Sequence, residues 1–253
     1  MCPNMPDLWQ RLRTLTAARV ALGNAGSSIP TGAWLDFQLD HARARDSVHH
    51  ALTTSSFIDE LKEKGYDALP LHSAATDRAS YLRRPDLGRV LDDKSGKLLM
   101  KKSRQLMETD VAIVIADGLS ALAVERHAIE LLDQVIPSLM KDELVIAPLV
   151  IVEQGRVAIG DQIGEILGAR VAIVLIGERP GLSSPDSLGV YLTYAPRRGR
   201  TDAERNCISN IRPEGLSYDA AASTLLDLIH QSLRRQLSGV ALNSNLLPAQ
   251  KTN

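Results

Sequence analysis

The sequence has few cysteines, few aromatic residues and no excess of charge of either sign, and each shortage excludes a class of protein. Cys2 and Cys207 are its only cysteines in 253 residues, which excludes a disulfide framework and a zinc site built from paired cysteines. So low a cysteine content is typical of a reducing compartment. The formal net charge is −1 at pH 7, so the chain offers no overall field for nucleic acid or an anionic membrane.

Long hydrophobic runs are missing as well. The longest, "LVIAPLVIV" (residues 144–152), contains a proline and is too short to span a bilayer. The opening stretch "MCPNMPDLWQRLRTLT" lacks the apolar core of a signal peptide. We therefore expect an intracellular protein of the cytoplasm.

Signatures of common enzyme sites are also absent. No GxGxxG follows a strand and no GxxxxGK[ST] occurs, so an ordinary dinucleotide or ATP site has no support. The six histidines form no HExxH and no zinc spacing, and we predict no metal site. No GxSxG occurs, so nucleophilic hydrolysis is not indicated.

The residues that are present indicate an α/β fold. Hydrophobic residues make up 44% of the chain and aromatic residues only 4%, which suits helices on a parallel sheet better than a β-sandwich. Residues 1–108 show helical spacing, except for an irregular stretch between Gly65 and Arg89. Residues 109–240 alternate apolar strands with amphipathic helices, and residues 241–253 form a C-terminal tail. We predict a doubly wound, mostly parallel, Rossmann-like sheet with an N-terminal helical extension.

Two loops are the first candidates for a binding site. "ADGLS" (residues 116–120) and "GERPGL" (residues 177–182) both begin where an apolar strand ends, and ligands of open parallel sheets bind at that edge. Glu178 can present a carboxylate there to an amide or a hydroxyl. The alternative is a strand-ending turn with an exposed Glu-Arg pair.

A row of glycines precedes the second loop. Gly160, Gly164 and Gly168 recur every fourth residue, so on one helix they form a stripe without side chains. Gly168 is a natural residue to end the helix and Gly160 to begin it. Gly164 lies inside the helix, where glycine costs roughly 0.5–1 kcal/mol relative to alanine. Either the sheet or a flat ligand must therefore lie close to it.

Several segments resemble one family. They are "RPDLGR" (84–89), "ADGLSALAV" (116–124), "GDQIGEILGARVAIVLIGERPGL" (160–182), "YLTYAPR" (191–197) and "AERNCISNIRPEGLSYDAA" (203–221). Together they resemble the small subunit of ethanolamine ammonia-lyase, and "LDHARARDSV" (39–48) resembles its N-terminal helical part. The likeness extends in order from about Leu8 to the last helix, and "IGERPGL" near "NCISNI" is its most specific part.

The resemblance implies an adenosylcobalamin-dependent lyase that converts ethanolamine to acetaldehyde and ammonia by a radical mechanism. This chain would cover the corrinoid in a hetero-oligomer with a large β/α-barrel subunit, against which residues 1–108 would pack. Val157, Glu178 and Cys207 match the cobalamin-contacting positions of the family. The substrate and its catalytic groups would belong to the large subunit, so we expect no catalytic residue here. The family also allows a bacterial microcompartment as the location.

Two alternatives remain open. The chain could be a stand-alone corrinoid carrier or chaperone, which would bind cobalamin tightly without joining a large subunit. It could also be an independent α/β enzyme for a nucleotide, although that needs a phosphate loop which the sequence does not show. A corrin over the two loops would also explain the glycine stripe, because the backbone could then approach its edge.

Overall fold

One six-stranded sheet with helices on both faces organises the chain. The computed structural model describes residues 8–16, 18–106 and 108–244. The described strands are β1 (Ala68–His72), β2 (Thr109–Ala116), β3 (Leu149–Glu153), β4 (Ala169–Gly177), β5 (Leu188–Tyr194) and β6 (Arg205–Ile211). The described α-helices are α1 (Leu8–Leu15), α2 (Thr31–His49), α3 (Thr54–Glu63), α4 (Arg78–Arg83), α5 (Asp93–Ser103), α6 (Ala121–Lys141), α7 (Ile159–Leu167), α8 (Tyr218–Arg235) and α9 (Val240–Ser244).

The strand order is β1-β3-β2-β4-β5-β6. The first four strands in this order are parallel, whereas β5 runs antiparallel to both β4 and β6. The predicted α/β fold with a mostly parallel sheet is confirmed. β5 is antiparallel because residues 178–187, which join it to β4, are too few for the helical crossover that parallel strands need.

The sheet is buried on both faces, and its strands alternate between two apolar clusters. Val171, Ile173 and Leu175 of β4 pack in the cluster that also contains the apolar faces of α6 and α8. Val174 and Ile176 pack in the second cluster, with α7. Burial on both faces explains why the strand reads as the continuous apolar run "VAIVLIG".

Part of the stretch expected to be irregular is regular. β1 pairs in parallel with β3, from Ala68 opposite Leu149 to His72 opposite Glu153. Its sequence is short and contains Pro70, which is tolerated because β1 is an edge strand of the described sheet. α4 lies in the same stretch. One edge of the sheet therefore comes from within residues 1–108.

The glycine stripe faces the sheet. A Cβ added at Gly160 would lie 2.3 Å from Cγ2 of Val174, and one at Gly164 would lie 2.5 Å from Cγ of Pro196. Gly168 ends α7 in the left-handed conformation, with φ of 65°. The stripe allows α7 to lie close against β4 and the segment after β5, so of the two neighbours left open for Gly164, the sheet side is the one that the structure shows.

The last described helix packs against the rest of the chain. Leu242 of α9 is fully buried, so the predicted tail begins within a helix that packs one side chain into the core. Residues 245–253 lie outside the described part of the chain. None of the described helices combines the length and the apolar character needed to cross a membrane.

Candidate functional site

A cleft opens where three parallel strands end. Residues after β2, β3 and β4 surround a volume of about 380 Å³. The side chains that matter for its chemistry are Leu119, Arg156, Val157, Ile176, Glu178 and Tyr191. From β2 the chain continues to β3, the neighbour of β2 on one side. From β3 it passes back over β2 to β4, the neighbour of β2 on the other side. The direction in which successive strands are added therefore reverses between β2 and β4. Ligands of doubly wound sheets bind at such a point.

Asp117 ties the end of β2 to the end of β3. Its carboxylate accepts hydrogen bonds from the backbone N–H groups of Gln154, at 2.9 Å, and Gly155, at 3.0 Å. Nη1 of Arg78 lies 4.0 Å from Oδ2. Burial nevertheless raises the pKa of Asp117 to about 6. The side chain is a structural tie that holds the turn carrying Arg156 and Val157 beside the turn after β2.

Tyr81 holds two arginines beside the cleft. Its ring is fully buried, and the guanidinium carbons of Arg156 and Arg78 lie 4.2 Å and 4.7 Å from the ring centroid. The Tyr81 hydroxyl donates to the carbonyl of Gly155 at 3.2 Å. Burial raises the pKa of Tyr81 to about 12, so the ring stays neutral and its face attracts both cations.

Glu178 is held by three donors from its own chain. The Ser187 hydroxyl and the Asn210 backbone N–H donate to Oε2, at 2.5 Å and 3.1 Å. The Ser209 hydroxyl donates to Oε1 at 2.5 Å. A carboxylate has about four acceptor positions, so one position on Oε1 remains for a further donor. The alternative of a simple exposed Glu-Arg pair is wrong, because Glu178 is half-buried and bonded to β6 and the segment before β5.

The three residues expected to contact a ligand lie in one region, although only two line the cleft. Val157 is half-buried and packs against the α7 side of the sheet, and it lines the cleft together with Glu178. Cys207 is exposed and pairs across β5 and β6 with Tyr191, which does line the cleft. Partial burial raises the pKa of the Cys207 thiol, which disfavours the nucleophilic thiolate.

Sequence reasoning missed Tyr81, Arg156 and Tyr191 as members of this site. Arg156 adjoins Val157 in "GRVAI", and that adjacency was the one available signal. Tyr81 comes from α4, in the stretch expected to be irregular. Tyr191 lies opposite Cys207 in the pairing of β5 with β6. This pairing was not foreseen because β6 was not predicted: "NCISNI" mixes polar and apolar residues without clear alternation.

A larger cavity, of about 730 Å³, lies between α2, the start of α6 and the segment before β5. Its charged side chains pair within the chain: Arg126 with Asp186 at 2.7 Å, and His50 with Glu125 at 2.7 Å. Its lining includes none of the residues directly after β3, so the smaller cleft, which residues after three parallel strands surround, is the stronger candidate site. Across the residues that the structure covers, no group of three His, Cys, Asp or Glu side chains is placed to hold a metal ion.

Comparison with known proteins relates the chain to one family. The model of the ethanolamine ammonia-lyase light chain family (EutC) matches residues 6–243. An ethanolamine ammonia-lyase small subunit of Pseudomonas putida (strain W619) is 56% identical over 245 residues, which cover 95% of this chain and 89% of that protein. The small subunits of Azotobacter vinelandii and Pseudomonas fluorescens (strain Pf0-1) are each 56% identical, over 241 and 235 residues; these cover 95% and 92% of this chain, and 89% and 86% of the relatives.

Proposed function

The chain belongs to the ethanolamine ammonia-lyase small-subunit family, and we propose that its cleft contacts adenosylcobalamin at the interface with a large catalytic subunit. Membership makes the chain one subunit of an ammonia-lyase. A small subunit implies a large partner, which we take to be the β/α-barrel chain that binds ethanolamine. When bound, adenosylcobalamin supplies the radical chemistry that converts ethanolamine to acetaldehyde and ammonia.

The observation that carries this proposal is the donor and acceptor chemistry of the cleft. A corrin ring is apolar on its faces and rimmed with amide side chains. Val157, Leu119 and Ile176 offer apolar contact. Glu178 retains one acceptor position, and Nη1 of Arg156 makes no hydrogen bond to the described residues and is not among the buried atoms. A cleft of about 380 Å³ is near the lower limit for a drug-sized ligand, so this chain would cover one edge of the corrinoid and the large subunit would enclose the remainder.

Each matched residue would have a limited role. Glu178 would accept an amide N–H from the rim. Val157 would exclude water from one side of the ring. Cys207 would make a neutral contact beside Tyr191, since its thiol stays protonated. The chain's own residues therefore bind and orient the cofactor, while the groups that act on substrate would lie on the partner.

Turnover should require both subunits. Ammonia release from ethanolamine and adenosylcobalamin is expected only when this chain and a cognate large subunit are mixed. Glu178→Gln should then raise the apparent KM for adenosylcobalamin about tenfold, because a charged hydrogen bond contributes roughly 1.5–3 kcal/mol, with kcat at saturation largely unchanged. Glu63→Ala, at an exposed position on α3, is the control. Tight corrinoid binding without association would favour a stand-alone carrier, and absence of corrinoid binding would overturn the proposal.

The N-terminal helices would supply part of the large-subunit contact. α1 and α2 expose large apolar side chains: Leu8, Trp9, Leu12, Leu15, Trp34, Leu35 and Leu39. Tryptophan and other large apolar groups are enriched in the buried centres of interfaces. Leu35 and Leu39 are 56% and 51% exposed and lie one turn apart. The exposed apolar side chains of α1 and α2 therefore support packing of the N-terminal region, residues 1–108, on the large subunit.

Adding charge to this surface should weaken assembly. Leu35→Asp combined with Leu39→Asp is expected to lower the affinity for the large subunit at least tenfold, since two carboxylates would be buried without partners. Gel filtration of the mixed subunits measures co-elution. The matched control is Met140→Asp, which alters an apolar side chain of similar exposure (66%) at the other end of the sheet. Equal loss in both variants, or no loss in either, would contradict this docking surface.

A further inference from the structure

Arg156 presents a guanidinium that the fold has fixed in place. Its Nη2 donates to the carbonyl of Tyr81 at 3.1 Å, and its guanidinium carbon lies 4.2 Å from the Tyr81 ring centroid. Gly88 makes room for the stem, because a Cβ there would lie 2.7 Å from Cγ of Arg156. The backbone N–H of Arg156 donates to the carbonyl of Gly88 at 2.8 Å. Little conformational entropy is therefore left to lose when this side chain binds a ligand.

The same guanidinium lacks an anionic partner. No carboxylate of the described chain lies within ion-pair distance of Arg156; Asp117, the carboxylate of this cluster, lies 4.0 Å from Arg78. Of its five N–H donors, the only side-chain hydrogen bond that Arg156 makes to the described residues is the one to Tyr81. Nε is buried without a partner. Nε is closed off from solvent, whereas Nη1 makes no hydrogen bond to the described residues and is not among the buried atoms, so Nη1 is the donor left for an acceptor from outside this chain.

Glu178 supplies the opposite chemistry in the same cleft. One acceptor position on its Oε1 is left after the three donors from Ser187, Ser209 and Asn210. Arg179 also lines the cleft, but its side chain is exposed. The two charges that the fold fixes there, Arg156 and Glu178, cancel each other. An anionic ligand group would be repelled by Glu178, and an ammonium group by Arg156. The group that satisfies both is neutral and carries a carbonyl oxygen beside an N–H₂, which is a primary carboxamide.

We propose that Arg156 and Glu178 form a donor and acceptor pair that recognises one primary carboxamide on the corrin rim. Arg156 donates to the carbonyl oxygen and Glu178 accepts from the N–H₂. Glu178 is then the residue that selects an amide over a carboxylic acid at one position of the ring, because it repels a carboxylate, and Arg156 is a specificity-determining residue that fixes the carbonyl end of that amide. This inference rests on the proposed contact with adenosylcobalamin.

Equilibrium dialysis of corrinoids against the assembled complex tests the pair without using turnover. The probes are cyanocobalamin and the separate monocarboxylates made by hydrolysing one corrin amide. Arg156→Met is expected to weaken cyanocobalamin binding between tenfold and a hundredfold, the range for a lost charged hydrogen bond. Arg156→Lys should recover only part of that loss, because lysine lacks the planar fork. Arg234→Met, at an exposed arginine of α8 outside the cleft, is the control and should stay within about threefold.

The carboxylate probes decide which group Glu178 faces. One monocarboxylate should bind wild type at least tenfold more weakly than cyanocobalamin, and Glu178→Gln should reduce that discrimination below about threefold, because two carboxylates no longer oppose each other. Equal binding of all monocarboxylates, or full affinity in Arg156→Met, would overturn the inference and leave the proposed function standing. If the wild-type complex binds no corrinoid, the proposed function fails first. If Arg156→Met does not assemble, Arg156→Lys and the wild-type probe series give the answer.

Discussion

Replacing Arg205 by methionine, or Asp161 by leucine, is expected to lower the free energy of unfolding by about 3–5 kcal/mol. Arg205 begins β6 and Asp161 lies in the first turn of α7. Nη2 of Arg205 lies 2.5 Å from Oδ2 of Asp161, and the two side chains are 2% and 4% exposed. Without Arg205, the Asp161 carboxyl is buried without its hydrogen-bonded cation. Without Asp161, Arg205 keeps backbone carbonyl acceptors and the exposed Asp202, whose Oδ1 lies 3.5 Å from Nη1, but loses its buried carboxylate. The pair joins the helix that follows Val157 to the strand that carries Cys207.

The two variants should differ in their pH dependence. Burial raises the pKa of Asp161 to about 6, although Arg205 adjoins it. The folded pKa lies above the unfolded value of 3.8, so the stability linked to the protonated carboxyl is present at low pH and lost as the pH rises through the folded value. Without Arg205 that folded pKa rises further. Arg205→Met should therefore cost less at pH 5 than at pH 8, whereas Asp161→Leu should cost more at pH 5 than at pH 8, because it removes the titrating carboxyl whose stabilising contribution wild type retains only at low pH.

Urea unfolding of the full chain at pH 5 and pH 8 measures these differences. Arg84→Met is the matched control, since the Arg84 and Asp86 side chains are 63% and 57% exposed, and we expect a change within about 1 kcal/mol. The double variant Asp161→Leu with Arg205→Met should recover most of the loss, because an apolar pair avoids the desolvation of both charges. Single variants as stable as wild type at pH 8 would show that the pair is solvated.

Periodicity predicted the parallel part of the sheet because β2, β3 and β4 are buried on both faces and read as continuous apolar runs. The same reasoning missed β6, whose burial alternates irregularly: Arg205 and Asn206 are buried, but Cys207 and Ser209 are exposed. Local sequence carries no sign that a buried arginine at the start of β6 has its partner on α7, 44 residues earlier. Pairing of that kind is tertiary and lies outside what spacing can predict.

The candidate site was predictable in part for a similar reason. The ends of the apolar runs predicted that the loops of Asp117 and Glu178 belong to the site, since ligands of parallel sheets bind at the edge where the strands end. The glycine stripe was ambiguous, because close approach of a sheet and close approach of a ligand require the same absence of side chains. The arginines around Tyr81 were not predictable, because Arg78 and Arg156 are far apart in sequence and meet only when α4 packs beside the end of β3.

Gly177→Ala is expected to lower the free energy of unfolding by about 3 kcal/mol, at the upper end of the usual cost of overpacking, and to weaken corrinoid binding by the assembled complex more than tenfold. A Cβ at Gly177 would lie 1.9 Å from the carbonyl oxygen of Ser120 and 2.8 Å from that of Asp117. Both atoms belong to the backbone, so rotation of a side chain cannot relieve the clash. The N–H of Leu119 also donates to the carbonyl of Gly177 at 2.9 Å, and separating the two loops would break this bond.

The loss of affinity should follow because Gly177 directly precedes Glu178, whose carboxylate is aligned by donors from β6 and the segment before β5. A shift of the backbone at Gly177 moves Glu178 relative to Arg156 on the opposite loop.

Gly181→Ala is the matched control in the same loop. A Cβ at Gly181 would lie 2.8 Å from Oγ of Ser184, and this side-chain end can rotate away. The free energy of unfolding should therefore change by less than about 1 kcal/mol. Urea unfolding and equilibrium dialysis with cyanocobalamin measure the two effects. If the Gly177→Ala complex is destabilised but keeps its full corrinoid affinity, the geometry of this edge of the sheet does not determine binding. That result would contradict the proposal that the cleft between β2 and β4 contacts the corrinoid.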